Sequence, residues 1–135
     1  MADERYIRLK VYSPTRVFFE GDAELVEFTT TEGEIGVYRN HVPLTVVVAP
    51  GILRITKDGE TREATLLEGF ATILQDEIVV LSEACEWPEE IDVHRAEEAK
   101  IRAERRIKSE TGINYDRTEL ALRRALIRLR VAGKG

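Results

Sequence analysis

Cysteine occurs once in this chain, at Cys85, so no internal disulfide can form and a reducing compartment is expected. Histidine occurs only at His41 and His94, far apart in the chain, and no H-E-x-x-H motif or His/Cys cluster is present to ligate a metal. There is no G-x-S-x-G elbow and no G-x-x-x-x-G-K-[ST] loop, so neither a nucleophile–base site nor nucleotide hydrolysis by this chain is expected. Long apolar runs are missing too. The longest, Val46-Val47-Val48-Ala49, falls far short of the roughly 20 residues that span a bilayer. Met1-Ala2-Asp3-Glu4-Arg5 lacks the apolar core of a signal peptide, so a soluble, cytoplasm-facing protein is expected.

What is present is an ordinary globular balance, 43% hydrophobic and 33% charged, which argues against a disordered chain. The 135 residues suit one domain, or a small domain with an appendage. The net charge of −5 is unevenly spread. Residues 1–88 hold 8 Lys/Arg against 16 Asp/Glu, whereas residues 89–135 hold 12 against 9 and the stretch from Thr111 onward 6 against 2. An acidic body carries a basic tail, and such a tail suits an acidic partner or a polyphosphate ligand.

The first part reads as β-structure. Ile7, Leu9 and Val11 share one face of a strand while Arg8 and Lys10 face away. Further strands are predicted over Val17–Phe19, Glu24–Thr31, Val42–Ala49, Ile52–Thr56, Thr61–Glu68, Phe70–Leu74 and Ile78–Ser82. Turn signals separate them at the spacing of a sandwich or barrel. Lys57-Asp58-Gly59-Glu60 predicts a hairpin with a type I′ turn.

At Trp87-Pro88 the pattern changes, because proline cannot donate to a sheet ladder. Asp92 is placed to cap a helix from Val93 to about Ser109, with Val93, Ala96, Ala99, Ala103 and Ile107 on one narrow stripe and Gly112 as its terminator. Asp116 at N-cap, Glu119 at N3, and Tyr115 against Leu120 predict a capping box with a hydrophobic staple for a second helix, running to about Ala132. That helix has two apolar sectors, Leu120/Ile127/Val131 and Leu122/Ala125/Leu126/Leu129, so it needs two partners. The expected fold is α+β: a β-sandwich domain over residues 1–88, then an antiparallel two-helix hairpin over 89–135.

His41 reads as a structural turn residue. The arginines carry more. Arg95, Arg102 and Arg106 lie on one stripe of the first helix, and Arg124 and Arg128 pair on the second. Guanidinium groups converging from both helices would repel unless an anion sat between them. The plainer alternative is two solvated faces, salt-bridged to Glu97, Glu98 and Glu119.

The stretch from Glu32 to Leu44, EGEIGVYRNHVPL, resembles the signature of the epsilon subunits of F-type ATP synthase. Pro50-Gly51-Ile52, Leu67-Glu68-Gly69-Phe70, Val79-Val80-Leu81 and the hairpin segment Glu119–Ala125 continue the likeness over nearly the whole chain. Arg39-Asn40 stands where Pro-Gly is commoner in that family, and Trp87-Pro88 stiffens the linker. The resemblance implies a ten-stranded sandwich seated on the gamma subunit and touching the c-subunit ring at the cytoplasmic face of the cell membrane, with membrane contact only through that ring. It also implies a hairpin that lies folded or extends along gamma toward the catalytic beta and alpha subunits, resisting rotation in the hydrolysis direction.

A narrower likeness is Ile91-Asp92-Val93-His94-Arg95-Ala96, which matches the I/L-D-x-x-R-A motif of the ATP-binding members. It implies that Glu86, Ile91, Asp92 and Ala96 hold the adenine end of ATP, with or without Mg2+. Arg95, Arg102, Arg124 and Arg128 would then face the phosphates. Two other readings stay open at this point: a structural coupling subunit whose inhibition ignores ATP, and a nucleic-acid-binding module. The acidic body and the absence of an aromatic stacking platform in the tail count against the second.

Overall fold

The computed structural model describes residues 4–109 and 115–133. The chain divides into two units, Met1–Cys85 and Glu86–Gly135, and each is built by its own rules.

In the first unit, period-2 alternation sets the strands. β1 (Ile7–Ser13) buries Ile7, Leu9 and Val11 completely and turns Arg8 outward, where it pairs with Glu20 and Asp22 at 3.6 Å. It is followed by β2 (Arg16–Ala23), β3 (Leu25–Thr30), β4 (Gly33–Val37), β5 (Leu44–Val48), β6 (Gly51–Lys57), β7 (Glu60–Leu66), β8 (Gly69–Ile73), β9 (Glu77–Ser82) and the short β10 (Cys85–Glu86). The hydrogen-bonded order is β10-β7-β6-β3-β5-β8-β9-β1-β2, with β4 on β3. β1 and β9 run parallel, while the other registered pairs are antiparallel. β2 touches β6 although they stand far apart in that order, so the sheet folds over itself around one core. Phe28, Val26, Leu53, Leu66, Ile73, Ile78 and Val80 fill it, each at most 1% exposed. Burial of this kind supplies about 1.5–3 kcal/mol per large side chain, offset by the entropy of ordering the strands.

The predicted hairpin forms as expected: Lys57 stands opposite Glu60, and Asp58 and Gly59 take φ values of 51° and 82°. Lys10 bonds Glu77 at 2.8 Å across the parallel pair, and that hydrogen bond raises the lysine pKa. Its small contribution is therefore complete below the ordinary lysine range and lost as pH climbs through the raised value. Gly69 is fixed by close approach: a Cβ there would collide with the Leu81 carbonyl of the neighbouring strand.

Four expectations about the strands need correction. β2 runs through Gly21 to Ala23, beyond the predicted Val17–Phe19, because its pairing with β1 extends from Ile7↔Ala23 to Ser13↔Arg16. The strand predicted from Val42 begins only at Leu44; Pro43 interrupts the ladder and Val42 is 75% exposed. β4 and β10 were not foreseen. Glycines at 33 and 36 hide β4, whose only fully buried side chain is Val37, and β10 has only two residues.

The second unit opens with a 3-10 turn at Pro88–Glu90, where the Glu90 carboxylate accepts the Trp87 N–H at 2.9 Å. α1 (Val93–Ser109) starts where predicted: Asp92 Oδ1 accepts the Arg95 N–H at 3.0 Å. Its alanine stripe faces inward, with Ala96 and Ala103 at 3% and 4% exposure. α2 (Tyr115–Val131) begins earlier than expected. Tyr115 is already helical and more than half exposed, so Asp116 lies in the first turn rather than at the cap, where it still opposes the helix dipole. The predicted terminator Gly112 lies outside the described residues. From α2, Ala125, Leu129 and Val131 are buried, and Leu126 is exposed. Among the described residues, no helix is long and apolar enough to cross a membrane.

Candidate functional site

The second unit contains a groove of about 850 Å³ between α1 and α2. Alanines permit it: Ala96, Ala99, Ala121 and Ala125 line its floor, so the helices meet closely while longer side chains rim it. The start of α1 (Asp92, Arg95) and the end of α2 (Arg124, Arg128) share the groove, which makes the pair antiparallel.

Of the residues singled out from the sequence, Glu86, Asp92, Arg95, Ala96, Arg102, Arg124 and Arg128 all line this groove. Ile91 does not; it is buried at 8% exposure beside them. Spacing alone missed Glu90 and Glu98, whose carboxylates also reach the rim.

The carboxylates have structural partners. Glu86 Oε1 accepts from Arg128 Nε at 2.6 Å, with both side chains about 30% exposed, closing the far end of α2 onto the start of the unit. A charge-assisted bond so placed is stronger than a surface pair, though solvent discounts it. Asp92 caps α1, Glu90 caps Trp87, and Glu98 meets His94 Nε2 at 2.7 Å. Arg95 and Arg102 carry no ion-pair partner among the described residues. Two guanidinium groups seven residues apart therefore point positive charge along one helix face beside Arg124. Chemically the groove offers a carboxylate-rich end and a cationic run, a pattern suited to an amine-bearing base joined to phosphates. Among the described residues, no group of three His, Cys, Asp or Glu side chains is placed to hold a metal ion.

In the first unit, exposed apolar residues line up across strands. Val47 opposes Phe70, Phe70 opposes Leu81, Leu81 opposes Tyr12, and Tyr12 opposes Val17. Val47, Phe70, Leu81 and Val17 are 45–59% exposed. At about 4.8 Å between strands, the row spans roughly 19 Å. A second exposed group, Tyr38, Val42, Leu44 and Leu74, gathers around the β4–β5 loop, which is tied to the β8–β9 turn by the Asn40 N–H donating to the Gln75 carbonyl at 2.6 Å. His41 sits in that loop, its Nδ1 2.7 Å from the Val42 carbonyl.

Residues 6–88 match the family model described as ATP synthase, Delta/Epsilon chain, beta-sandwich domain. Residues 89–133 match the companion model, the long alpha-helix domain of the same chain. The chain belongs to the epsilon subunits of F-type ATP synthase. The ATP synthase epsilon chain of Caldanaerobacter subterraneus subsp. tengcongensis is 44% identical over 133 residues, covering 97% of this chain and 96% of the relative. That of Ruminiclostridium cellulolyticum is 45% identical over 122 residues, covering 90% and 91%. Among solved structures, a chain of the Euglena gracilis mitochondrial ATP synthase OSCP/F1/c-ring complex superposes with a TM-score of 0.81 at 23% identity, covering 95% of this chain and 81% of that one. A chain of the Tetrahymena thermophila mitochondrial ATP synthase central stalk/c-ring gives 0.64 at 11% identity, covering 99% and 100%. At those identities the likeness shows the fold alone. The expected α+β fold, a sandwich of about ten strands followed by two helices, is the fold that this epsilon-family chain has.

Proposed function

We propose that this epsilon-family chain is a non-catalytic subunit of the ATP synthase central stalk, peripheral to the cytoplasmic face of the cell membrane, whose hairpin restrains ATP hydrolysis and is held folded by ATP. The sandwich is the attachment unit. Its 19 Å apolar row is a ready docking strip for the gamma subunit, and the exposed loop group around Val42 is a second contact suited to the c-ring. The basic hairpin is the regulatory unit, extending toward the acidic surfaces of the catalytic beta and alpha subunits.

The single observation that carries the nucleotide part is the groove itself: of the five arginines grouped by helical spacing, Arg95, Arg102, Arg124 and Arg128 line it beside Glu86 and Asp92, and Arg106 does not. ATP, alone or with Mg2+, would sit with its adenine amine toward Glu86 and Asp92 and its phosphates along Arg95, Arg102 and Arg124. Arg128 acts on this reading through Glu86, holding that carboxylate in place beside the base. Bound phosphates neutralise the facing cations and favour the folded hairpin, provided that ATP binds that state better than the extended one.

Isothermal titration of the isolated chain with ATP tests this. Wild type should bind with a saturable isotherm. Asp92→Asn keeps a capping oxygen, so its helix should persist while ATP affinity falls. Arg95→Gln should weaken binding by about 10–100-fold, the worth of a charge-assisted contact of about 1.5–3 kcal/mol. No binding at millimolar ATP, or unchanged affinity in both variants, would refute the nucleotide site and leave a hairpin that inhibits without ATP.

A further inference from the structure

Glu98 stands on a ridge of α1. It lines the nucleotide groove, and it also lines a hollow formed by α1 alone, with Ile101, Arg102, Arg105 and Arg106. Arg95 lies three residues before it and Arg102 four residues after, the two spacings at which side chains on a helix meet. A carboxylate so placed could pair with either guanidinium. Neither pairing forms: Glu98 Oε1 sits 2.7 Å from His94 Nε2, and Arg95 and Arg102 have no ion-pair partner among the described residues. The histidine side chain is 83% exposed, so the contact adds little stability, and its consequence is positional. The other groove carboxylates are engaged elsewhere, Glu86 by Arg128, and Asp92 and Glu90 by backbone N–H groups. Glu98 is different: its side chain is 55% exposed, so packing does not stop it turning from the histidine to an arginine.

Resting on the nucleotide reading of the groove, we propose that Glu98 sets its affinity for ATP. The carboxylate competes with the phosphates for Arg95 and Arg102, and His94 is a positioning residue that limits the competition by holding Glu98 off them. Pairing with an arginine would occupy the N–H donors that a phosphate oxygen needs. Even unpaired, a negative charge on that rim opposes each added phosphate.

A two-by-two cycle tests this, read by isothermal titration of the full chain with ATP and with ADP: wild type, Glu98→Gln, His94→Ala and the double variant. Glutamine has nearly the helix propensity of glutamate, and circular dichroism checks that the helices persist. Glu98→Gln should tighten ATP binding by about threefold to tenfold, the scale of one screened unit charge beside the phosphates, and tighten ADP binding less. His94→Ala should weaken ATP binding by about twofold or more while Glu98 is present, and should have no effect once Glu98→Gln is also in place. That rescue marks a carboxylate released onto the arginines, whereas a merely structural histidine would cost the same in both backgrounds. Unchanged or weaker ATP binding in Glu98→Gln overturns the proposal. So does an equal gain for ATP and ADP, or a His94→Ala effect that persists in the double variant. The nucleotide reading fails on a different result, a wild type that does not bind ATP or an Arg95→Gln variant that binds it equally well, and the proposal falls with it.

Discussion

Ending the chain after Trp87 should raise ATP hydrolysis by the assembled complex, by several-fold to about tenfold, while leaving the truncated subunit bound. The magnitude corresponds to a brake of about 1.4 kcal/mol or less on the rate-limiting step. The reason that assembly should survive is structural. The unit Met1–Cys85 closes its own core, with Ile7, Leu9, Val11, Phe28 and Leu53 all supplied from within it. The apolar row Val47–Phe70–Leu81–Tyr12–Val17 lies wholly in that unit. The cut removes 12 Lys/Arg and 9 Asp/Glu, and with them the cations that would meet an acidic catalytic surface. Hydrolysis rates of purified wild-type and truncated complexes, normalised to subunit content, provide the check. An unchanged rate with full occupancy would mean that the hairpin is not a brake.

Placing charge on the apolar row should have the opposite consequence. Phe70→Glu with Leu81→Glu should cost at least about 30-fold in affinity for the gamma subunit, since a centrally buried anchor is worth about 2 kcal/mol or more. The two positions are direct neighbours, so their effects should not simply add. Both side chains are more than half exposed, and the isolated variant should therefore melt close to wild type. Co-purification with gamma, read beside the melting temperature, separates lost docking from lost folding. Retained co-purification would show that this face is not the seat on the rotor.

Much of this architecture was legible because it follows from short-range rules. The alternation Ile7/Leu9/Val11, the Asp58-Gly59 turn and the Asp92 cap are local chemistry, and each forms as read. β4 was hidden because its glycines suppress the strand signal and its order comes from pairing with β3, a tertiary cause. Spacing put Arg95 and Arg102 on one stripe with Arg106, and Arg124 with Arg128 on another, but left two solvated faces as the plainer reading; it is the antiparallel packing of the helices on alanine seams that sets Arg95, Arg102, Arg124 and Arg128 around one groove. The Glu86–Arg128 pair was not: 42 residues separate its members, and no periodic signal links a strand-end carboxylate to a helix. Nor was the apolar row, whose members are scattered over five strands and meet only through register.

The central claim is that ATP shifts the hairpin toward its folded state. Inter-helix distance in the assembled complex, measured by spin or fluorescence labels at Lys100 on α1 and Arg123 on α2, tests it most directly. Raising ATP to millimolar levels should increase the short-distance population in wild type and leave it unmoved in Arg95→Gln. A distance distribution that ignores ATP in wild type, or shifts equally in the variant, would contradict the account.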